Sequence, residues 1–268
     1  MALLASIAAA VVLPGFSPYA LGPDGGVVLT GIFPGTERPG YVYMPPQYSF
    51  FDRYPVVYLL HGMPGSPTEY LDGTRLAEFA DDAIASQRLR PFVAVLPAAG
   101  PAPRYNGEWA GPWERALVDQ IVPFVDANLS TIASPSGRVV AGLSAGGFGA
   151  VYAALRNPNV FGAVESWSGY FHPLRDGPFR DLTRAELAAN DPQRLLAVTA
   201  PTLARNHVRF FLSSGPSHSH WFRPSETWSF ARLLRRDGLA VTTLAYPVAR
   251  GEWQAQLDAG LAWAFGPA

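Results

Sequence analysis

The chain alternates between short apolar runs and longer stretches in which apolar residues recur every three or four positions. The apolar runs lie at 27–33, 40–46, 54–62, 91–97, 138–144, 163–169, 208–215 and 240–247. The run "YPVVYLLHG" at 54–62 is almost unbroken, which is typical of a strand buried on both faces. Helical periodicity covers 74–87, 111–128, 146–156, 225–238 and 253–265. For the helix over 225–238, Ser225 is the predicted N-cap and Gly238 the predicted stop.

This order predicts one sheet with helices packed on both faces. The first two runs flank a Pro/Gly turn and predict an antiparallel pair. Later runs alternate with helical segments, which predicts parallel strands because a parallel pair needs a crossover. The sequence therefore predicts the α/β class, with a mostly parallel, doubly wound sheet of eight strands in one domain over 25–268. Between the sixth and seventh strands, residues 170–205 are predicted to be irregular.

Residues 1–24 are set apart from this domain. The run "MALLASIAAAVV" is too short to cross a bilayer core of ~30 Å as a helix, and Pro14 interrupts the sequence that follows. The run has the length of a leader h-region but lacks a basic n-region. Two interpretations stay open. The segment is either the remnant of a leader or anchor, which would imply an extracytoplasmic or cell-envelope location and membrane association, or the first buried segment of the domain.

Composition excludes several kinds of chemistry. The formal net charge is -1, so nucleic acid is not an expected partner. Cysteine is absent, which removes disulfides, thiolate nucleophiles and cysteine metal sites together. Every one of the 20 basic residues is arginine, so no lysine can form a Schiff base. Composition gives no indication of the oligomeric state.

Two strand ends carry residues that suggest catalysis. In a doubly wound sheet, functional groups collect at the carboxyl ends of the strands. "GLSAGG" at 142–147 lies between a predicted strand and a predicted helix, where Gly-x-Ser-x-Gly forms a nucleophile elbow with Ser144 as the nucleophile. The alternative is a glycine-rich turn that merely packs.

"LHGMPG" at 60–65 follows the earlier central strand. Its glycines leave the backbone open, so the N–H of Met63 can join that of Ala145 as a pair of oxyanion donors. His61 is predicted to be a structural residue that bonds neighbouring loops rather than a catalytic base.

These segments resemble a known family. "HGMPG", "WAGPWERALVDQIVPFVDANL" and "GLSAGGFGAVYAALRNPNVFGAVESWSG" are similar to the putative-esterase family of α/β-hydrolases, which includes esterase D, S-formylglutathione hydrolases, feruloyl esterases and mycobacterial mycolyltransferases. The similarity runs from about residue 25 to residue 265. It implies an eight-stranded α/β-hydrolase sheet and a Ser-acid-His triad. It further implies hydrolysis or acyl transfer on a small-molecule or lipid ester, without a cofactor.

The chain departs from the family at two triad positions. The family histidine stands two residues before a tryptophan after the last strand, and here that position is Gly251, before Trp253. The family acid follows the strand "VRFFLSSG", and here no carboxylate lies between 215 and 221. Instead His218 and His220 stand at the acid position, and Glu252 stands beside the histidine position.

Three hypotheses follow from these departures. In the first, the triad is rearranged: His218 or His220 is the base for Ser144, and Glu252 orients it. In the second, the protein is a degenerate hydrolase that binds a ligand without turnover. In the third, the assumed strand register is wrong and an ordinary triad is completed by His172, His207 or another residue set aside above, although His207 precedes its strand and should lie at the opposite end.

Two other features have structural explanations that we prefer. "SHSH" at 217–220 could form half of a metal site, but without an evident third ligand we expect a solvated loop and no metal. The aromatic residues near the predicted pocket could line an acyl or aromatic groove, but most are expected in the core: Trp109, Trp113, Trp167, Tyr170, Phe171 and Trp221.

Overall fold

The computed structural model describes residues 13–100, 108–216, 223–246 and 252–267, without the side chain of Glu252. Its strands are β1 Phe16–Leu21, β2 Val27–Ile32, β3 Pro39–Met44, β4 Val56–Leu60, β5 Val93–Leu96, β6 Arg138–Leu143, β7 Ala163–Trp167, β8 Arg209–Ser214 and β9 Ala240–Ala245. Its α-helices are α1 Leu76–Ala85, α2 Pro112–Arg115, α3 Val122–Asn128, α4 Ala145–Arg156, α5 Arg184–Ala189, α6 Pro192–Arg205, α7 Pro224–Arg236 and α8 Glu252–Phe265. Glu69–Gly73 and Ala116–Ile121 are π-helical, and the second of these joins α2 to α3.

The strands form one sheet in the order β1-β2-β3-β5-β4-β6-β7-β8-β9. β1, β2 and β3 pair antiparallel, as does β3 with β5, and every pair from β5 to β9 is parallel. The predicted antiparallel opening and the parallel remainder are thus confirmed. The strand ends predicted for β8 and β9 agree with the structure within two residues, so the register assumed from the sequence was right.

Over the described residues the sheet has nine strands, where the sequence predicted eight. The additional strand is β1, which lies within residues 1–24 that were set apart, and Leu21 pairs with Val27 of β2. β1 lies at the edge of the sheet and is largely exposed, so it carries no apolar run that a sequence pattern could reveal.

The segment over 170–205 was wrongly predicted as irregular, because it contains α5 and α6. Thr183 and Glu186 form a reciprocal capping box at the start of α5, and Asp191 caps α6 ahead of Pro192. These caps were readable in the sequence, although the apolar stripe of the helices was too weak to stand out.

The predicted N-cap of α7 was also wrong. The helix begins at Pro224, the N1 position that proline favours, and Arg223 takes the N-cap position in place of Ser225. Gly238 follows the helix with φ +82°, as a helix stop requires.

A carboxyl group is enclosed in the middle of the sheet. Glu165 of β7 is fully buried, and its Oε2 accepts a hydrogen bond of 3.0 Å from the indole N–H of Trp167. Its Oε1 has no hydrogen-bond partner among the described residues. Burial raises the pKa of Glu165 to about 8, so the neutral acid predominates at neutral pH.

The turn between β6 and α4 combines a strained serine with close backbone packing. Ser144 has φ +51° and ψ -112°, a region that residues with a Cβ rarely adopt. A Cβ on Gly146 would overlap the carbonyl oxygen of Leu60, and a Cβ on Gly142 would overlap the backbone of Gly146. Glycine at both positions therefore lets α4 start directly against the end of β4, which holds the bend in place.

Replacing Glu165 with glutamine should change how stability depends on pH. Because the folded-state pKa is raised, unfolding releases a proton above pH ~4.5, and stability is lost as pH rises from there to about 8. Relative to Glu165→Gln, the wild type should lose on the order of 1.4 kcal/mol per pH unit over this window. Urea unfolding at several pH values measures this, and a difference between the two proteins that is constant with pH would contradict the burial argument.

Backbone strain at Ser144 predicts an unusual order of stability. Ser144→Gly should be more stable than Ser144→Ala by about 1 kcal/mol, because glycine accepts positive φ without cost. The matched control is Ser229, an exposed residue in the middle of α7. There the glycine variant should be less stable than the alanine variant by about 0.5–1 kcal/mol. Thermal unfolding of the four variants tests this, and the same order at both positions would mean that Ser144 is unstrained.

Candidate functional site

Ser144 directly follows β6, at the carboxyl edge of the sheet. Its N–H donates to the carbonyl of Trp167 on β7 at 2.9 Å, and its carbonyl accepts from the N–H of Phe148 at 3.1 Å. The residue is half-buried, while Ala145 behind it is fully buried. Hydrogen bonds to β7 and to the first turn of α4 thus fix the backbone of Ser144, while its half-buried side chain remains partly accessible to solvent.

Of the two residues predicted as oxyanion donors, Ala145 lies at this bend and Met63 lies in the loop that follows β4. Ala145 is the first residue of α4, and its N–H is among the first four of the helix, which have no intrahelical acceptor. The side chain of Met63 packs against the apolar cluster that contains Ala145 and Phe148. The N-terminus of α4 also supplies a positive dipole end. An arrangement of this kind favours negative charge that develops next to Ser144.

His61 is structural, as the sequence predicted. It is fully buried, its Nδ1 donates to the carbonyl of Gly62 at 2.8 Å, and its Nε2 accepts from the N–H of Ala99 at 3.2 Å. These two bonds require the neutral ring with the proton on Nδ1. Burial lowers the pKa of His61 to about 4, in keeping with a neutral ring. Its backbone carbonyl also accepts from the indole of Trp109 at 2.9 Å, so the residue ties three loops together.

Glu69 was not singled out from the sequence, although the structure places its carboxylate near the Ser144 bend. A Cβ on Gly62 would lie 3.7 Å from the Cβ of Ser144 and 3.9 Å from Oε2 of Glu69, so Ser144 and the Glu69 carboxylate both border Gly62. The backbone amides of Ser66 and Gly62 lower the pKa of Glu69, but burial outweighs them and the pKa is raised overall. Its Oε2 is enclosed and has no hydrogen-bond partner in the described part of the chain.

Nothing in the local pattern identified Glu69 in advance. In "GSPTEY" the glutamate reads as an ordinary polar residue at the start of a helix. Its position near the Ser144 bend arises because the loop from 61 to 68 folds back onto the end of β6.

A cluster of aromatic and small side chains borders the oxyanion donors. Its buried members are Ala110, Ala145, Phe148, Tyr152, Tyr170 and Phe179. Tyr170 stacks on Phe148 with ring centroids 5.3 Å apart, and its hydroxyl donates to Oε2 of Glu108 at 2.7 Å. Glu108 is fully buried and also accepts from the N–H of Leu174 at 3.0 Å, so it holds the segment after β7 against this wall.

The aromatic residues that the sequence assigned to the core are buried where they are described. Trp109, Trp167, Tyr170 and Phe171 are each at most 3% exposed, and Trp113 is partly buried against the core. Trp221 lies outside the described residues.

A polar network fixes the start of α8 beside the Ser144 bend. Oε1 of Gln256 accepts from the hydroxyl of Ser213 at 2.6 Å and from that of Ser168 at 3.3 Å. The N–H of Ser168 donates to the carbonyl of Ser213 at 2.8 Å. These bonds join the ends of β7 and β8 to α8. The backbone of Glu252, one helical turn before Gln256, therefore also lies at the carboxyl edge of the sheet.

The described part of the chain does not bring a histidine to the Ser144 hydroxyl. His218 and His220 fall in 217–222, and Gly251 falls in 247–251, both of which lie outside the described residues, as does the side chain of Glu252. His207 precedes β8, and the six residues of that strand place it roughly 20 Å from the carboxyl edge, as predicted.

His172 belongs to a different groove. Its Nδ1 lies 3.1 Å from Oε2 of Glu226, which raises the pKa of His172 and holds the carboxylate of Glu226 in place. This pair borders a cavity of about 370 Å³ between α6 and α7, and the lining of that cavity does not include Ser144, Met63 or Ala145. The third hypothesis, an ordinary triad through His172 or His207, gains no support from these positions.

Within the described ranges, no group of three or more His, Asp or Glu side chains is arranged to hold a metal ion. Among the same residues, no helix is long and apolar enough to cross a membrane.

Comparisons with known proteins agree with this architecture. A ferulic acid esterase of known structure superposes with a TM-score of 0.75 at 19% identity, over 93% of this chain and 98% of that one. Esterase Rv1288 of Mycobacterium tuberculosis is 35% identical over 143 residues, which are 50% of this chain and 30% of that protein. An endo-1,4-beta-xylanase/feruloyl esterase of Xylanibacter ruminicola is 31% identical over 118 residues, which are 41% of this chain and 16% of that protein. The matched part thus spans less than a third of each of these two relatives.

The family model described as "Putative esterase" matches residues 33–263, from the end of β2 into α8. The predicted α/β-hydrolase fold is confirmed by the structural likeness, and the resemblance seen in the motifs is confirmed by the family match. The chain therefore belongs to the Esterase family of α/β-hydrolase-fold proteins.

Proposed function

We propose that the protein is a carboxylic ester hydrolase or acyltransferase in which Ser144 is the nucleophile. The observation that carries this proposal is the conformation of the bend. Ser144 has φ +51° and lies between Gly142 and Gly146, where a Cβ at either glycine would overlap backbone atoms. The buried N-terminus of α4 follows the serine directly. Strain of this kind costs about 1–3 kcal/mol and persists where it serves a site. A turn that merely packed would have no need of it.

The proposed chemistry is acyl transfer in two steps. The Ser144 hydroxyl oxygen attacks the ester carbonyl carbon while its proton passes to a base, and the N–H groups of Met63 and Ala145 bind the oxyanion. Collapse of the tetrahedral intermediate releases the alcohol, which takes up that proton, and leaves an acyl-serine ester. Water or a second alcohol then attacks this ester with the same base, which gives hydrolysis or transfer, respectively.

For the base we retain His218 or His220, with Glu252 as the residue that orients it. The network of Gln256 supports this assignment, because it fixes α8, and with it the backbone of Glu252, at the ends of β7 and β8. β8 ends at Ser214 at the same edge, and His218 and His220 follow that residue in the sequence by four and six positions.

We propose a small-molecule or lipid ester as the substrate. The stacked rings of Phe148 and Tyr170 are buried, so they form packed core next to Ala145 and do not define the acyl group. Relatives whose names include feruloyl esterase support an ester substrate with an aromatic acyl group. We also propose an extracytoplasmic or cell-envelope location, with membrane association through the apolar segment at 1–12, which lies outside the described residues.

A second function is favoured by one specific observation. The family position of the catalytic histidine is Gly251, and the described histidines are engaged elsewhere or distant: His61 with Gly62 and Ala99, His172 with Glu226, and His207 at the opposite edge. A site with the bend and the oxyanion donors but no base would bind an ester or acyl ligand without turnover. We therefore keep a binding protein of the same fold as the alternative.

A fluorophosphonate probe separates the two functions. If Ser144 is activated, the wild type should become labelled and hydrolyse a short p-nitrophenyl ester, and Ser144→Ala should abolish both. Loss of the base should slow labelling by about 10²–10⁴-fold, so either His218→Ala or His220→Ala should show this loss. His207→Ala is the matched control and should label at the wild-type rate.

Other results of this experiment would point to other mechanisms. A wild type that labels no faster than Ser144→Ala would be the binding protein. Loss of labelling in His172→Ala but not in His218→Ala or His220→Ala would support the third hypothesis, in which His172 is the base of an ordinary triad.

Glu69 should matter for reactivity as a positioning residue. Its carboxylate lies beside the amides of Gly62 and Ser66, on either side of Met63, so Glu69→Gln should let the oxyanion loop shift. We expect kcat for ester hydrolysis to fall by about tenfold to a hundredfold with KM little changed. Glu78→Gln is the control, since Glu78 is an exposed residue of α1 paired with Arg75. Equal kcat in the wild type and Glu69→Gln would rule out this role, whereas a parallel loss of thermal stability would indicate a purely structural one.

A further inference from the structure

A second cavity lies at the opposite edge of the sheet, beneath the amino ends of β4, β6, β7 and β8. Its volume is about 370 Å³, within the range of pockets that hold small molecules. Its lining includes Arg90, His207 and Arg209 together with the end of α8, and no Asp or Glu among the described residues. The six residues of β8 separate it from the Ser144 site by roughly 20 Å.

Both guanidinium groups of this cavity lie over aromatic rings rather than beside acids. The guanidinium carbon of Arg209 lies 4.6 Å from the ring centre of Trp263, and that of Arg90 lies 5.9 Å from the ring centre of Phe265. Arg90 also donates to the carbonyl of Ala264 at 3.2 Å. Such contacts orient a guanidinium group while leaving its charge in place.

The aromatic supports are themselves fixed. The indole N–H of Trp263 donates to the hydroxyl of Thr242 at 3.1 Å, and the ring of Phe265 stacks on Phe92 with centroids 4.7 Å apart. The guanidinium groups of Arg90 and Arg209 therefore pack on fixed aromatic rings at the end of α8. Binding of a ligand would need little further ordering of these two side chains.

Nearby carboxyl groups do not neutralise these charges. Glu165 interacts with Arg209 through space, but its pKa of about 8 keeps it mostly protonated at neutral pH, and its Oε2 is bonded to Trp167. By contrast Arg138, at the same edge, is paired with Asp126 in a largely buried ion pair. In the part of the chain that the structure describes, Arg90 and Arg209 have no such carboxylate partner.

We propose that this cavity binds a small soluble anion with more than one phosphate or carboxylate group, at a site separate from Ser144. Two oriented guanidinium groups can each donate two parallel N–H bonds to such groups. The anion would also relieve the repulsion between two like charges that border one cavity.

Isothermal titration with pyrophosphate and, separately, with citrate tests the proposal. Sodium chloride is held near 0.15 M, where contacts with isolated surface charges are largely screened. We expect saturable 1:1 binding of at least one anion. The anion with the lower Kd, pyrophosphate or citrate, identifies phosphate or carboxylate as the preferred group. Arg209→Gln and Arg90→Gln should each weaken that binding by about tenfold or more.

The control is Arg232→Gln, which removes the same charge from an exposed position on α7 outside the cavity. It should bind the anion like the wild type. If Arg209→Gln fails to fold, His207→Gln replaces it in the titration, because it changes another residue of the cavity lining without disturbing either aromatic platform. It too should weaken binding of the anion. Ser144 labelling should be unchanged in all of these variants, so the result does not depend on the proposed ester chemistry.

Two results would overturn the proposal. One is the absence of saturable binding of either anion at millimolar concentration. The other is an equal loss of binding in Arg232→Gln and Arg209→Gln, which would indicate attraction by overall charge rather than by this cavity.

Discussion

The contact between the start of α4 and the end of β4 is the constraint on which the site depends. Gly146 lies so close to the carbonyl of Leu60 that no side chain fits between them, and Gly142 lies equally close to Gly146. β6 ends at Leu143 and α4 begins at Ala145, so the chain turns within one residue to bring the helix against β4. That residue is Ser144, which has a positive φ. The position of the proposed nucleophile and that of the Ala145 N–H in the first turn of α4 both follow from this one close approach.

The remaining polar groups of the carboxyl edge are organised around that bend. His61 is buried as a neutral ring that joins loops, Glu69 borders Gly62 near the serine, and Gln256 ties α8 to the ends of two strands. Burying these groups costs free energy unless they are hydrogen-bonded, and most of them are. Among the described residues, the enclosed Oε2 of Glu69 departs from this rule, and it lies against Gly62.

The two edges of the sheet are built from different chemistry. At the carboxyl edge, Ser144 lies at the start of α4, next to a buried aromatic cluster. At the amino edge, arginines supported by the aromatic residues of α8 border a cavity that no acidic side chain of the described residues lines. α8 connects the two edges, because its first turns carry Glu252 and Gln256 and its last turn carries Trp263 and Phe265.

The sequence by itself determined the central sheet, the glycine-flanked bend at Ser144 and the family. Buried parallel strands read as unbroken apolar runs, and a bend that must be free of side chains reads as glycines around a serine, so both are local patterns. It missed β1, because an exposed edge strand has no apolar run, and it missed α5 and α6, because their signal lay in caps rather than in periodicity.

Tertiary structure alone decided the surroundings of Ser144 and of the amino-edge cavity. Glu69 stands in the sequence as an ordinary polar residue, and only the folding of its loop onto β6 places it near the serine. Arg90 and Arg209 are 119 positions apart by residue number, and they border one cavity because α8 brings Phe265 and Trp263 beneath them. Contacts between residues so distant along the chain depend on how the elements pack, which no local pattern records.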